Sequence, residues 1–351
     1  MPAVAGRCKV ADLVTLSAVV LVTGLILYAL FGGADFGGGI WTALAFGPRA
    51  REQQDALFNA IGPVWETNHV WLIFVVVTLF TAFPAGFANL FIVLMPPLVL
   101  ALIGINFRGA AFAFRHFGRE TGRETPLSAR VFEIASVLTP FALGMAVSAT
   151  AAGSIVLTNR EAAAKAWGWV NPFTLLGGVV GMAICAYLAP IYMTVRVTGA
   201  LQEDFRKESI LAGIALGILT TLMMPLAVHQ APLFANRLFG SWPMLCVMLA
   251  VLAGTVTEFL LLLRKFFWAQ ISAAGTVVFT LAGFAAALAP DLLVGQMTLR
   301  AAAAPRPTLV AFLAVLPIGA LILVPSLFYL YWTFRGEPSP EIPPAGTESD
   351  G

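Results

Sequence analysis

Charge is what this sequence has least of. Only 11% of its 351 residues are Asp, Glu, Lys or Arg, against 59% that are hydrophobic, and no single globular core hides that much apolar surface from water. A soluble domain is excluded, and the chain reads as a polytopic membrane protein. The net charge of +2 is scattered over loops. No basic stripe interleaved with exposed aromatics is present, which argues against nucleic acid as a partner. Cysteine is equally scarce: Cys8, Cys185 and Cys246 stand far apart and two lie in apolar runs, so neither a disulfide framework nor a CxxC metal site is indicated. They read as packing residues.

What is present is a series of long apolar runs. Counted against roughly 30 Å of hydrocarbon at about 1.5 Å per residue, they predict nine transmembrane helices. These run near 12–32, 56–82, 86–107, 131–157, 172–196, 209–229, 243–263, 266–288 and 308–333. The seventh and eighth must turn within a few residues at Arg264-Lys265, an interfacial pair of cations. The first run is too long for a cleaved signal peptide and has no convincing small-x-small site after it. The acidic, Pro-rich stretch 336–351 is expected to be a disordered tail.

Basic residues set the orientation. Alternating sides over nine spans put Arg7, Lys9, Arg160, Lys165, Arg237, Arg300 and Arg306 with the N-terminus, and the larger remainder, including Arg49, Arg51, Arg206, Arg264 and Lys265, opposite. By the positive-inside rule the N-terminus is outside and the C-terminus cytoplasmic.

A carboxylate inside the bilayer is costly and so a functional candidate. Glu66, in "NAIGPVWETNHVWLIF", falls about 16 Å along a second helix that starts near Asp55, close to mid-membrane. Asp35, in "GGADFGGG", falls about 35 Å along the first, at its cytoplasmic end. Asp55, Asn59 and Glu66 share one helical face at i, i+4 and i+11, with Pro63 freeing the carbonyl of Asn59 between them. That polar stripe, with Trp65, Asn68, His69 and Trp71 beside Glu66, suits a hydrated proton path against protein rather than lipid.

Plainer readings stand beside these. Asp35 could simply close the first helix, and Glu66 could be a neutral structural carboxyl. Gly33 and Gly37 form a small-xxx-small pair for close helix approach. His69 reads as a core histidine before a haem ligand, because no second intramembrane His stands at ligand spacing. Glu133 and Glu258, near span ends, are expected to pair with cations such as Arg130 or Arg264.

The run "GGADFGGGIWTAL…IGPVWETNHVWLI" resembles the N-terminal signature of subunit II of the cytochrome bd quinol oxidases. "FRGAAFAFR" at 107–115, "SVLTPFALG" at 136–144 and "NPFTLLGGVVG" at 171–181 resemble the same family, in order. The resemblance implies an all-α integral membrane fold: one four-helix bundle over 1–160, a second over 161–290 and a peripheral ninth helix over 291–335. It implies a partner, the haem-bearing subunit I, holding haem b and haem d and oxidising quinol while reducing dioxygen to water in a bacterial or archaeal cytoplasmic membrane. No catalytic centre and no metal site are expected on this chain.

By the same resemblance subunit II supplies a cytoplasmic proton pathway, and in some members it holds a structural quinone. Motif on motif, Asp35 and Glu66 take the family's acidic positions. Two departures stand out: Gly32 replaces a further acid, and Glu66 stands where the pattern has Asp. Arg108 and Arg115 are assigned to lipid headgroups or a quinone carbonyl. Trp65, Asn68, His69 and Trp71 are assigned to the subunit interface or a haem edge. Small accessory subunits are compatible with this scheme.

Two rivals differ in class. A secondary transporter would show matching broken helices in both halves, and no counterpart to "GPVWETN" follows residue 172. A purely structural subunit would need neither acid.

Overall fold

The computed structural model describes residues 2–61, 65–120, 126–158, 161–162 and 168–333. Its elements in chain order are α1 (Pro2–Leu44), α2 (Ala50–Ile61), α3 (Trp65–Asn68), α4 (Val70–Ala82), α5 (Pro84–Val93), α6 (Met95–Glu120) and α7 (Pro126–Ala151). A two-stranded ribbon, β1 (Leu157–Thr158) and β2 (Glu161–Ala162), precedes α8 (Pro172–Met193), α9 (Gly199–Gln230), α10 (Pro232–Leu238), α11 (Ser241–Leu262) and α12 (Phe266–Leu288). A second ribbon, β3 (Asp291–Leu293) and β4 (Met297–Thr298), leads through α13 (Leu299–Ala302) to α14 (Arg306–Thr333). Both ribbons are antiparallel and minor. The protein is an all-α membrane protein.

Among the described residues, 8 helices are long and apolar enough to cross a membrane. They overlap the expected spans except the second, and the third, expected over 86–107, is divided between α5 and α6, of which only Met95–Arg115 is long enough to cross. In the second, α2 is one-sided rather than apolar throughout: Gln53, Leu57 and Phe58 are buried while Arg51, Glu52 and Asn59 are exposed. The continuous helix expected over 56–82 is therefore replaced by α2, then α3 and α4, whose apolar stretch Glu66–Ala82 rises only about 25 Å. Pro63, the predicted kink, lies outside the described residues, as does the tail 336–351.

The first helix also differs from expectation, running to Leu44 rather than stopping near 32. Helical glycine costs up to about 1 kcal/mol relative to alanine, but here packing repays it. A Cβ on Gly37 would overlap the carbonyl oxygen of Cys185 on α8, and one on Gly39 would overlap the Ser136 hydroxyl on α7. Close approach of three helices needs those positions bare. Thus α1 packs against α8, α7, α4 and α12.

Local signals hold the other ends. The Asn171 side chain accepts from Thr174 N while the Thr174 hydroxyl accepts from Asn171 N, a capping box with Pro172 at the first helical position. The turn at Arg264-Lys265 is as tight as expected. Arg264 takes a left-handed conformation at φ 57, and Lys265 N donates to Leu260 O at 2.9 Å.

Candidate functional site

The centre lies where α1, α3, α6 and α7 meet. Arg108 is 1% exposed, although it interrupts the apolar run of α6. A guanidinium in such surroundings must have its donors satisfied. Its Nη2 donates to the backbone carbonyl of Asp35 at 2.8 Å, and its Nε to the Ser136 hydroxyl at 3.1 Å. Ser136 in turn donates to Phe132 O. The rings of Phe36 and Phe132 each lie 4.9 Å from the guanidinium carbon, so both contribute cation–π attraction. Arg108 is not a headgroup contact, contrary to expectation, because it cannot reach the surface from this position.

Asp35 is 5% exposed, and Asn68 Nδ2 donates to its Oδ2 at 2.6 Å. It therefore does not close a helix at the water line: α1 continues for nine more residues, and the carboxylate is held inside the protein. His69 lies beside this pair, its ring 6.2 Å from Tyr28 and 5.8 Å from Phe36. Rings flank it on two sides, which fits a core histidine better than an axial ligand. Among the described residues no group of three or more His, Cys, Asp or Glu could hold a metal.

The single turn of α3 overturns the predicted depths. Asn68 touches Asp35, so Glu66, two residues earlier, lies within about 3 Å of the same level rather than a distant step higher. Two residues also rotate about 200°, and Glu66 is exposed on the opposite side. Nor do Asp55, Asn59 and Glu66 form one stripe, since α2 ends at Ile61. Asp55 is half-buried and Asn59 exposed on α2.

Of the remaining candidates, Trp65 opens α3, and Trp71 stacks on Phe31 at 6.4 Å. Arg115 is 7% exposed, with its guanidinium 4.8 Å from the Phe58 ring, which joins α6 to α2. Headgroup contact is excluded for it as well. Arg264 pairs with Glu203 at 3.2 Å, not with Glu258. Sequence reasoning missed Ser136, Phe36 and Phe132. The available signal was an arginine inside "LIGINFRGAAFAF", which requires a buried partner on another helix.

The eight apolar spans among the described residues, with a buried arginine–aspartate centre, define a multi-pass membrane protein whose inner polar groups are held by contacts between several helices. The family model described as cytochrome bd terminal oxidase subunit II matches residues 13–334, and the chain belongs to that family. The match extends through the second half, where motifs were sparse. A relative is the cytochrome bd ubiquinol oxidase subunit 2 of Bacillus subtilis (strain 168), 29% identical over 212 residues, 58% of this chain and 60% of that one. Another is the cytochrome bd-I ubiquinol oxidase subunit 2 of Escherichia coli (strain K12), 28% identical over 200 residues, 55% of this chain and 52% of that one. The matched region thus spans about half to three fifths of these curated relatives. The bd oxidase structure from Geobacillus thermodenitrificans superposes with a TM-score of 0.78 at 21% identity, covering 92% of this chain and 99% of that one, and so shares its fold.

Proposed function

We propose that this chain is the non-haem subunit II of a bacterial inner-membrane complex that oxidises quinol and reduces dioxygen to water. Its role is to support the haem-bearing subunit I and to bring protons from the cytoplasm. In this reading α1 to α7 form one four-helix bundle, α8 to α12 a second, and α14 the peripheral helix, with Glu66–Ala82 counted as a ninth crossing. The N-terminus then lies outside. Haem b and haem d, held by subunit I, supply the electron chemistry.

The observation that carries the proton reading is the Asn68–Asp35 hydrogen bond of 2.6 Å. It joins a buried acid to the short helix that presents Glu66 on the outer side, where a partner subunit would pack. Asp55 and Asn59 on α2 collect protons at the cytoplasmic face. Asp35 holds one within the centre, beside Asn68 and Arg108. Glu66 offers its carboxyl oxygens to subunit I.

The test is proton uptake and turnover by the reconstituted two-subunit complex carrying Glu66→Gln or Asp35→Asn. A fall of at least tenfold with a normally assembled complex is expected. Unchanged uptake in both variants would sink the proton role and leave the scaffold reading, which the closed Asp35–Arg108–Ser136 network favours.

A further inference from the structure

Oxygen-bearing side chains converge where α8, α9, α11 and α12 pack together: Tyr187 on α8, Thr257 and Glu258 on α11, and Thr276 on α12. Tyr187, Glu258 and Thr276 line one cavity of about 700 Å³ whose walls are otherwise largely apolar. Tyr187 is 1% exposed, and Thr257 is fully buried. Both carboxyl oxygens of Glu258 and the Tyr187 hydroxyl are buried and make no hydrogen bond among the described residues. Buried polar atoms without partners are rare, and each leaves a desolvation cost that a ligand can relieve.

Helix packing brings these atoms together. Gly213 on α9 has no side chain, and a Cβ there would overlap Glu258 Oε1 and crowd the Tyr187 ring at 3.2 Å. The carboxyl and the phenol therefore meet over bare backbone. The Tyr187 hydroxyl lies near those of Thr257 and Thr276 but outside hydrogen-bonding geometry with either. Each threonine uses its own proton within its helix, Thr257 Oγ1 donating to Ala253 O at 2.8 Å and Thr276 Oγ1 to Ser272 O at 3.1 Å. Their lone pairs remain free for the shared space.

Carboxylate, phenol and hydroxyl oxygens suit a hard cation, with no nitrogen or sulfur ligand required. The charge of that cation is set by the acid. A single carboxylate balances one positive charge, whereas a divalent ion would leave a buried surplus. Among the described residues no group of three or more His, Cys, Asp or Glu offsets such a surplus. Access is short: Glu258 stands about 6 Å before the end of α11 at Leu262, next to the Arg264-Lys265 turn. Arg264 at that end is already paired with Glu203 at 3.2 Å.

We propose that Glu258, Tyr187, Thr257 and Thr276 bind one alkali-metal cation, sodium or potassium. The ion turns an orphaned acid into a neutral ion pair and ties α8, α11 and α12 to one another. Sodium and potassium share this oxygen chemistry. The site uses no residue of the proposed proton path, so failure of either reading leaves the other standing.

The test uses the two-subunit complex purified in mild detergent and equilibrated in choline chloride buffer. Radioactive sodium, or rubidium standing in for potassium, is titrated in by equilibrium dialysis, and the one that binds identifies the ion. The wild type is expected to bind it saturably. Glu258→Gln, which keeps the shape and removes the charge, abolishes that binding. Tyr187→Phe and Thr276→Val, each lacking one ligand oxygen, weaken it about tenfold. Dicyclohexylcarbodiimide, which modifies protonated carboxyls in apolar surroundings, gives a readout that needs no variant: the bound ion should slow labelling of Glu258, followed by mass spectrometry, about tenfold relative to choline. Saturable binding that survives Glu258→Gln, its absence from the wild type, or labelling indifferent to both cations overturns the proposal and leaves Glu258 a neutral acid.

Discussion

The amide of Asn68 donates to the carboxylate of Asp35 across 2.6 Å, tying the one-turn helix α3 to the middle of α1. This contact fixes the level of the neighbouring polar residues. It separates a buried acid, Asp35, from an exposed one, Glu66, that sequence spacing alone had set far apart in depth.

Removing that donor leaves the buried carboxylate poorly satisfied. Asn68→Leu should lower stability by about 1–3 kcal/mol. Thermal unfolding of the purified protein in detergent measures this, and an unchanged midpoint would contradict the bond's role.

Arg108 should tolerate no simple replacement. Arg108→Leu leaves the Asp35 carbonyl and the Ser136 hydroxyl without their buried donor, at a cost of about 1–3 kcal/mol. Arg108→Lys should recover little, because a point-like ammonium cannot both fork between the Asp35 carbonyl and Ser136 and lie flat between two rings. Folded yield and melting temperature of the two variants report the outcome.

The two acids should separate folding from activity. Glu66 is exposed, so Glu66→Gln should shift stability by no more than about 0.5 kcal/mol. Asp35→Asn alters a buried hydrogen-bonded acid and should shift it more. Paired melting curves read the difference.

Close approach of α1 to α8 gives a steric prediction. Gly37→Ala places a methyl group against backbone and should destabilise by about 1–3 kcal/mol. Gly319→Ala on α14, where a Cβ meets nothing within 4 Å, should be neutral or slightly stabilising. Equal melting temperatures for the two variants would refute the packing argument.

At the far end, Asp291 Oδ2 accepts from both Arg237 Nη2 and Gly295 N at 2.9 Å, binding α10 to the β3–β4 ribbon. Asp291→Ala should cost about 1–3 kcal/mol by leaving a partly buried guanidinium under-satisfied. The same melting assay detects it, with protease sensitivity near residue 295 as a local readout.

Much of the fold was legible because a bilayer imposes a length. Eight of the nine apolar runs became long helices, and the double cation at Arg264-Lys265 marked a turn that forms there. The second run misled because "AREQQDALFNAI" carries its polar residues on one side, so α2 buries only one face. Asp35 and Glu66 were recognisable as candidates because carboxylates in apolar runs are rare. Arg108 was visible but misassigned, because a cation near a loop and a cation buried between helices look the same in sequence.

Composition and apolar run length by themselves determined a multi-pass helical membrane protein, because hydrocarbon thickness and backbone hydrogen bonding leave few other solutions. Only the tertiary structure decided which polar groups meet. Asp35 faces Asn68 and Arg108, and Glu258 faces an apolar cavity, through contacts between helices far apart in the chain. Helical periodicity orders residues around one axis, but it cannot say which neighbouring axis each face will meet.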